Sequence, residues 1–298
     1  MEHGGGFSFD RELLFSLKKK HNPKQLIMHI DPYQIKGKKG WDDETIKNVT
    51  KMIGPFFANR YSRENVFNKN EPYEFYTIFE LSKRVGEVYK KKEKIEKLEQ
   101  LANKMIKNIQ SKLPPKEKKP KVALIIYGKG KCTLFDLNSD GFGQAQYKAV
   151  GAVDAFENLT YSSYIGSEIF EGLKKSNNKR AVSVSLDLEG LIKVNPDVII
   201  IQFGIYSLEN PKHHTVATMK EINKLKNDNL GLKINAVKNN RIYPGGTPLQ
   251  GPLMYIFQIE MAAKQIYPEI FGKWNPEHKY SKEEQLFDRE ELKAILGR

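Results

Sequence analysis

Apolar residues in this chain alternate between helical spacing and short unbroken runs, and one stretch shows both. In Leu186–Gln202, LDLEGLIKVNPDVIIIQ, spaced leucines give way to four consecutive apolar residues. The pattern predicts a helix with Glu189 in its first turn, leading directly into a buried strand. Asn195-Pro196-Asp197 marks the boundary, because proline disfavours helical geometry in the residue before it. Val198–Ile201 then fits a parallel strand covered on both faces. A weaker copy lies near the start, where Asp10-Arg11-Glu12-Leu13-Leu14 leads through Leu17 to Asn22-Pro23-Lys24 and the apolar run Leu26–Met28. Two related α/β halves are therefore expected.

Between these copies the periodicity changes. Residues 31–72 read as loop-rich, broken by Gly37, Gly40, Gly54 and Pro55. Helical spacing returns in Glu74–Tyr89 through Phe75, Ile78, Phe79, Leu81, Val85 and Val88. It continues in Glu93–Leu113, where Ile95, Leu98, Leu101, Ala102, Met105, Ile106 and Ile109 form one stripe. A rod of about 30 Å follows from that second length. Pro114-Pro115-Lys116-Glu117-Lys118-Lys119-Pro120 stops it and is the best domain boundary in the chain.

Strands and helices alternate after that boundary. Val122–Tyr127 and Ala181–Ser185 read as strands, Tyr147–Phe156 and Thr215–Leu225 as helical. Asn239-Asn240-Arg241-Ile242-Tyr243 is a turn into a short strand. Gly245–Pro252 forms a loop before the amphipathic helix Leu253–Tyr267, and Leu286–Leu296 makes a terminal helix. Such alternation calls for a parallel α/β sheet.

Composition narrows the function classes. Hydrophobic residues make up 39% of 298, a globular proportion, and no apolar run reaches the roughly 20 residues of a membrane helix. Cys132 is the single cysteine, which excludes intramolecular disulfides, cysteine-rich zinc sites and cysteine-ligated clusters. The charge of +13 attracts anionic ligands, membrane surfaces or nucleic acid. Its excess is lysine in short scattered runs such as Lys18–Lys20, Lys90–Lys92 and Lys116–Lys121, which read as solvated faces; nucleic-acid readers concentrate arginine and aromatics on one face. No nucleic-acid partner is expected.

Catalytic constellations are missing from the sequence. The six histidines form neither H-x-x-x-H nor H-E-x-x-H, and no G-x-S-x-G elbow occurs. Gly128-Lys129-Gly130 follows a strand but lacks both phosphate-loop signatures. No enzyme and no cofactor is expected. Aromatic residues suggest binding instead: Tyr33, Trp41, Phe56, Phe57, Tyr61 and Phe67 sit among Arg60 and Arg63, a composition that suits one wall of a ligand cleft.

The order of these motifs carries a resemblance. A glutamate-bearing helix followed by Asn-Pro and an apolar strand occurs twice, as N-P-D in the second copy and N-P-K in the weaker first one, with a single long helix between the copies. Val237-Lys238-Asn239-Asn240-Arg241-Ile242-Tyr243 follows, then Glu260-Met261-Ala262-Ala263-Lys264-Gln265-Ile266-Tyr267-Pro268-Glu269-Ile270-Phe271. The chain from about residue 8 onward resembles the substrate-binding proteins of ABC importers that carry ferric siderophores, haem or cobalamin, the class III periplasmic binding proteins. Ile53-Gly54-Pro55-Phe56-Phe57 and Glu71-Pro72-Tyr73-Glu74 are most similar to archaeal iron or corrinoid binders.

The resemblance implies an α/β fold of two parallel-sheet sandwich lobes joined by one long helix: residues 1–92 as the N-terminal lobe, 93–113 as the helix and 114–298 as the C-terminal lobe. It implies an extracytoplasmic monomer, peripheral to the membrane through the permease subunits of the transporter. The ligand would be a metal chelate in the cleft, iron–siderophore ahead of corrinoid or haem. Glu12 and Glu189 match the glutamates that meet the permease, although Lys18-Lys19-Lys20-His21 lengthens the first motif and Lys24 replaces its aspartate. A strand or two and an export signal normally precede the first glutamate-bearing helix, so a truncated or processed start is expected.

Position after strand ends and residue type select the ligand contacts. On the first wall they are Tyr33, Trp41, Phe57, Tyr61 and Arg63. On the second they are Phe135, Phe142, Gln144, Tyr206, His213, Tyr243 and Gln250. Three other readings compete: a binder of bare zinc or manganese ions, which needs converging His, Asp or Glu; an oxidoreductase like nitrogenase components, which needs cluster cysteines; and a nucleic-acid binder driven by charge.

Overall fold

A computed structural model describes residues 15–16, 18–20, 28–30, 42–52, 56–58, 77–128, 131–135, 145–155, 183–186, 188–201, 223–229, 231–245 and 251–297. The chain divides into two compact units, Met1–Glu71 and Pro72–Arg298.

In the first unit, strand β1 (Met28–Ile30) pairs in parallel with β2 (Phe56–Ala58), Met28 opposite Phe56. Helix α1 (Asp43–Met52) connects them. Residues 31–72 are thus not merely loop: the Asp42 carboxylate accepts the Thr45 N–H at 2.7 Å, and this N-terminal cap opens a helix that the flanking glycines had obscured.

The second unit begins with α2 (Thr77–Val88) and α3 (Lys92–Gln110), close to the predicted pair. Leu98, Leu101, Ala102, Met105, Ile106 and Ile109 of α3 are buried, and its 19 residues span about 28 Å. Lys83 of α2 bridges Glu80 on its own helix and Glu99 on α3, at 2.7 and 2.6 Å.

The sheet follows. Strand β3 (Lys121–Gly128) pairs in parallel with β7 (Val198–Ile201), which pairs in parallel with β8 (Ile242–Pro244). On its other edge β3 meets two strands in succession. Lys121 and Val122 lie beside β5 (Val153–Asp154), and Leu124–Gly128 lie beside β4 (Lys131–Phe135). Strand β4 is antiparallel to β3, and β6 (Ser183–Leu186) is antiparallel to β4. The mostly parallel sheet therefore contains one reversed strand. Gly128 pairs with Lys131 at the end of the antiparallel ladder.

Two cores cover the sheet, one on each face, because strand side chains alternate. Val122, Leu124, Val198 and Ile200 face α2, α3, α4 (Ala145–Ala149) and α7 (Pro252–Ile266). Ala123, Ile125, Ile199 and Ile201 join Leu188 and Leu191 of α5 (Leu188–Val194) and Ala236 and Val237 of α6 (Asn235–Lys238). Ile199 and Ile200 are 0% exposed, and burying such a side chain contributes roughly 1.5–3 kcal/mol. Helix α8 (Pro268–Phe271) follows α7, and α9 (Arg289–Leu296) closes the chain against α3.

Three predicted elements shift. The helix expected over Tyr147–Phe156 ends at Ala149, since Gly151 turns the chain at φ 63° into β5. The terminal helix starts three residues after Leu286, where the Asp288 carboxylate accepts the Glu290 and Glu291 N–H groups. Of Thr215–Leu225, only 223–225 are described, within helical residues 223–227.

Candidate ligand-binding rim

Parallel strands collect their carboxyl ends on one edge. Gly128, Ile201 and Pro244 end β3, β7 and β8 there, and Leu186 ends β6 beside them, since it pairs with Cys132, next in register to Tyr127. Beyond such an edge open α/β sheets bind their ligands.

The rim has a fixed anchor. Gly245 donates its N–H to the Ile201 carbonyl at 2.7 Å, and its own carbonyl accepts the Tyr147 hydroxyl at 3.2 Å. A Cβ at position 245 would lie 2.9 Å from both Ile200 Cγ2 and the Tyr147 hydroxyl oxygen, so only glycine fits without displacing β7 or α4. Burial pushes the Tyr147 hydroxyl far above the ordinary tyrosine range, which keeps it a donor. Helix α7 starts from the same edge after residues 246–250. Pro252 occupies its first turn, where no N–H is missed, and Met254 is 49% exposed. Glu189, in the first turn of α5, directly follows β6, and it is exposed with no ion pair among the described residues.

Four of the sequence-selected residues fall on described backbone. Glu189 lies at the carboxyl edge. Tyr243 is in β8, but its ring packs edge-on against Trp274 at 5.9 Å, and burial raises its hydroxyl pKa. Phe135 was chosen as following a strand end; because β4 runs antiparallel, its register opposite Leu124 carries it away from the rim, and that reason does not hold. Phe57 lies in β2, opposite His29. Tyr33, Trp41, Tyr61, Arg63, Phe142, Gln144, Tyr206, His213, Gln250 and Glu12 lie outside the described residues.

The motifs that carried the resemblance have a different job. At the amino end of the sheet, Asn195 adopts φ 47° and ends α5, and its side-chain oxygen accepts the Asn235 N–H at 2.8 Å. The Asp197 carboxylate accepts the Lys121 N–H at 3.0 Å, setting β7 beside β3. Arg241 donates to the Ile266 carbonyl at the end of α7, at 2.7 Å. On α7, Glu260 is fully buried, accepts the Leu286 N–H at 2.9 Å and pairs with Arg289, whose guanidinium lies 3.7 Å from the Phe287 ring centre. Lys264, 1% exposed, donates to the Phe271 carbonyl at 2.5 Å, and burial lowers its pKa. Gln265 donates to the Pro244 carbonyl at 3.0 Å. Tyr267 donates to Gly151 at 2.9 Å, and its hydroxyl is pushed up to about 12 by burial. These side chains hold the second unit together.

A groove of about 440 Å³ lies away from the strand ends, between α3 and residues 282–290, lined by Leu101, Lys104, Met105 and Arg289 among others. Among the described residues no three His, Cys, Asp or Glu side chains converge as metal ligands, and no helix is long and apolar enough to cross a membrane.

Comparison with known proteins gives the fold. No protein-family model matches the sequence, and no curated protein aligns significantly with it. Solved structures do match. The TroA-like periplasmic binding protein FepB from Veillonella parvula is 17% identical over 98% of this chain and 72% of its own, with a TM-score of 0.59. The iron-uptake system-binding protein FeuA from Bacillus subtilis is 15% identical over 86% of this chain and 74% of its own, with a TM-score of 0.56. The siderophore periplasmic binding protein from the fuscachelin gene cluster of Thermobifida fusca is 12% identical over 85% and 77%, with a TM-score of 0.55. The fold is that of the class III periplasmic binding proteins.

Proposed function

We propose that the chain is the extracytoplasmic binding component of an ABC importer and captures a metal chelate, an iron–siderophore in preference to a corrinoid or haem. The observation that carries this reading is the fold likeness to a siderophore periplasmic binding protein and an iron-uptake system-binding protein, which extends over 85% and 86% of the chain. The role is capture without chemistry. Aromatic rings take the apolar body of the chelate, and Arg or Lys neutralises its carboxylates or catecholates. Glu189, exposed at the start of α5, meets the permease, with Glu12 as its counterpart.

Tryptophan fluorescence titrated with ferric siderophores, haem and cobalamin tests the reading. Saturable quenching by a ferric siderophore at one chelate per chain is expected. A chain shown by circular dichroism to be folded, yet quenched by no member of the panel, overturns it. Trp274 packs on Tyr243 within the second unit, so Trp41 is the more informative reporter.

A further inference from the structure

Positive charge grows along α3 towards the end where the sheet begins. From Lys90 to Lys121 there are twelve lysines against four glutamates and no arginine, a net +8 within a chain of +13. The imbalance sharpens towards the C-terminal half of α3: residues 100–121 hold seven lysines and a single acid, Glu117. Lys104, Lys107, Lys112, Lys116, Lys118 and Lys121 are exposed. Lys107, Lys112, Lys118 and Lys121 make no ion pair with any carboxylate among the described residues.

Topology fixes where this cluster points. Lys121 opens β3, so the preceding loop lies at the amino end of the parallel strands, opposite the rim formed by Gly128, Ile201 and Pro244. The turn before β8 adds exposed Lys238 at that end. Carboxylates at this end among the described residues include Glu117, Glu269, buried Asp154 beside Val122, and Asp197, which is engaged with the Lys121 N–H. Cations remain in clear excess.

We propose that this lysine pole binds the anionic headgroup surface of a phospholipid membrane. The composition selects that partner over nucleic acid. Flexible ammonium groups suit a smeared surface potential, whereas nucleic-acid readers add guanidinium forks and stacking rings, and residues 90–121 contain neither arginine nor an aromatic residue. A chain held by this pole turns its carboxyl rim and Glu189 away from the lipid, so lipid-bound and permease-docked orientations exclude each other. The lipid contact itself does not depend on the chelate reading.

Sedimentation of the full chain with vesicles tests it. Binding is expected to phosphatidylcholine vesicles containing about 30% phosphatidylglycerol, not to pure phosphatidylcholine, and is expected to vanish near 0.5 M salt, where screening is within a few ångströms. Each lysine is worth roughly five-fold in partitioning. The quadruple variant Lys107→Gln, Lys112→Gln, Lys118→Gln and Lys121→Gln should therefore bind at least ~100-fold more weakly, with an unchanged thermal midpoint. The same four changed to arginine should bind like the parent. A control quartet at the opposite end of α3, Lys90→Gln, Lys91→Gln, Lys92→Gln and Lys94→Gln, removes equal charge and should cost less than ~10-fold. Absence of binding to anionic vesicles, equal losses in the two glutamine quartets, or binding to duplex DNA but not to vesicles overturns the proposal.

Discussion

The two ends of the second unit's sheet are built by opposite rules. At the amino end, side chains bond to backbone: Asn195 to Asn235, Asp197 to Lys121, Arg241 to Ile266. At the carboxyl end, one glycine anchor and one exposed glutamate are followed by segments with no shared signature. The motifs that made the chain recognisable fall mainly at the first end and along α7, where geometry permits few substitutes. Under the proposed function ligand identity belongs to the second, where many side chains are compatible with the same strands. That division is consistent with a fold readable at 17% identity.

Breaking the buried network on α7 should cost most. Glu260→Leu leaves Arg289, 17% exposed, without its partner, and such a loss costs about 3–5 kcal/mol, measured as a fall in the urea midpoint. Arg241→Leu removes one charged bond to the Ile266 carbonyl and should cost about 1.5–3 kcal/mol in the same assay. Neither change should alter chelate affinity per folded molecule; a large affinity loss from either would merge the two ends.

A smaller effect is expected from pH. His278 has its pKa lowered from 6.5, mainly by burial and then by Arg289. The unfolded chain then takes up a proton before the folded one does, so stability is full above pH 6.5 and declines as pH falls through the lowered value. Thermal unfolding at pH 7.5 and 5.0 should show that decline, and His278→Asn should reduce it. Smallest of all for stability is Glu189→Lys, within about 0.5 kcal/mol because the residue is exposed. Uptake by the assembled transporter should nevertheless fall while chelate affinity holds, and an equal fall in affinity removes the docking role.

Long periodic elements were legible in the sequence, and short ones were not. Helix α3 and strand β7 each repeat one rule over enough residues to be recognised, and Asn195-Pro196-Asp197 states its own boundary. Strand β5 has two residues, too few for any period, and it owes its existence to Lys121 and Val122 alongside. Strand β4 alternates weakly, and its reversal against β3, closing at Gly128 and Lys131, is one that composition alone leaves ambiguous. At the candidate site, Glu189 came from a motif, and the structure puts it in the first turn of α5, just after β6. Tyr243 was chosen by residue type; the sequence held no sign that Trp274, 31 positions later, would take one edge of its ring.

Gly245 has a practical consequence. It is bonded on one side to β7 and on the other to α4, and Gly251, just beyond the intervening positions, accepts the Tyr255 N–H at 3.1 Å as α7 begins. Positions 246–250, flanked by these two anchored glycines, are therefore the first to randomise in asking whether the rim sets ligand choice.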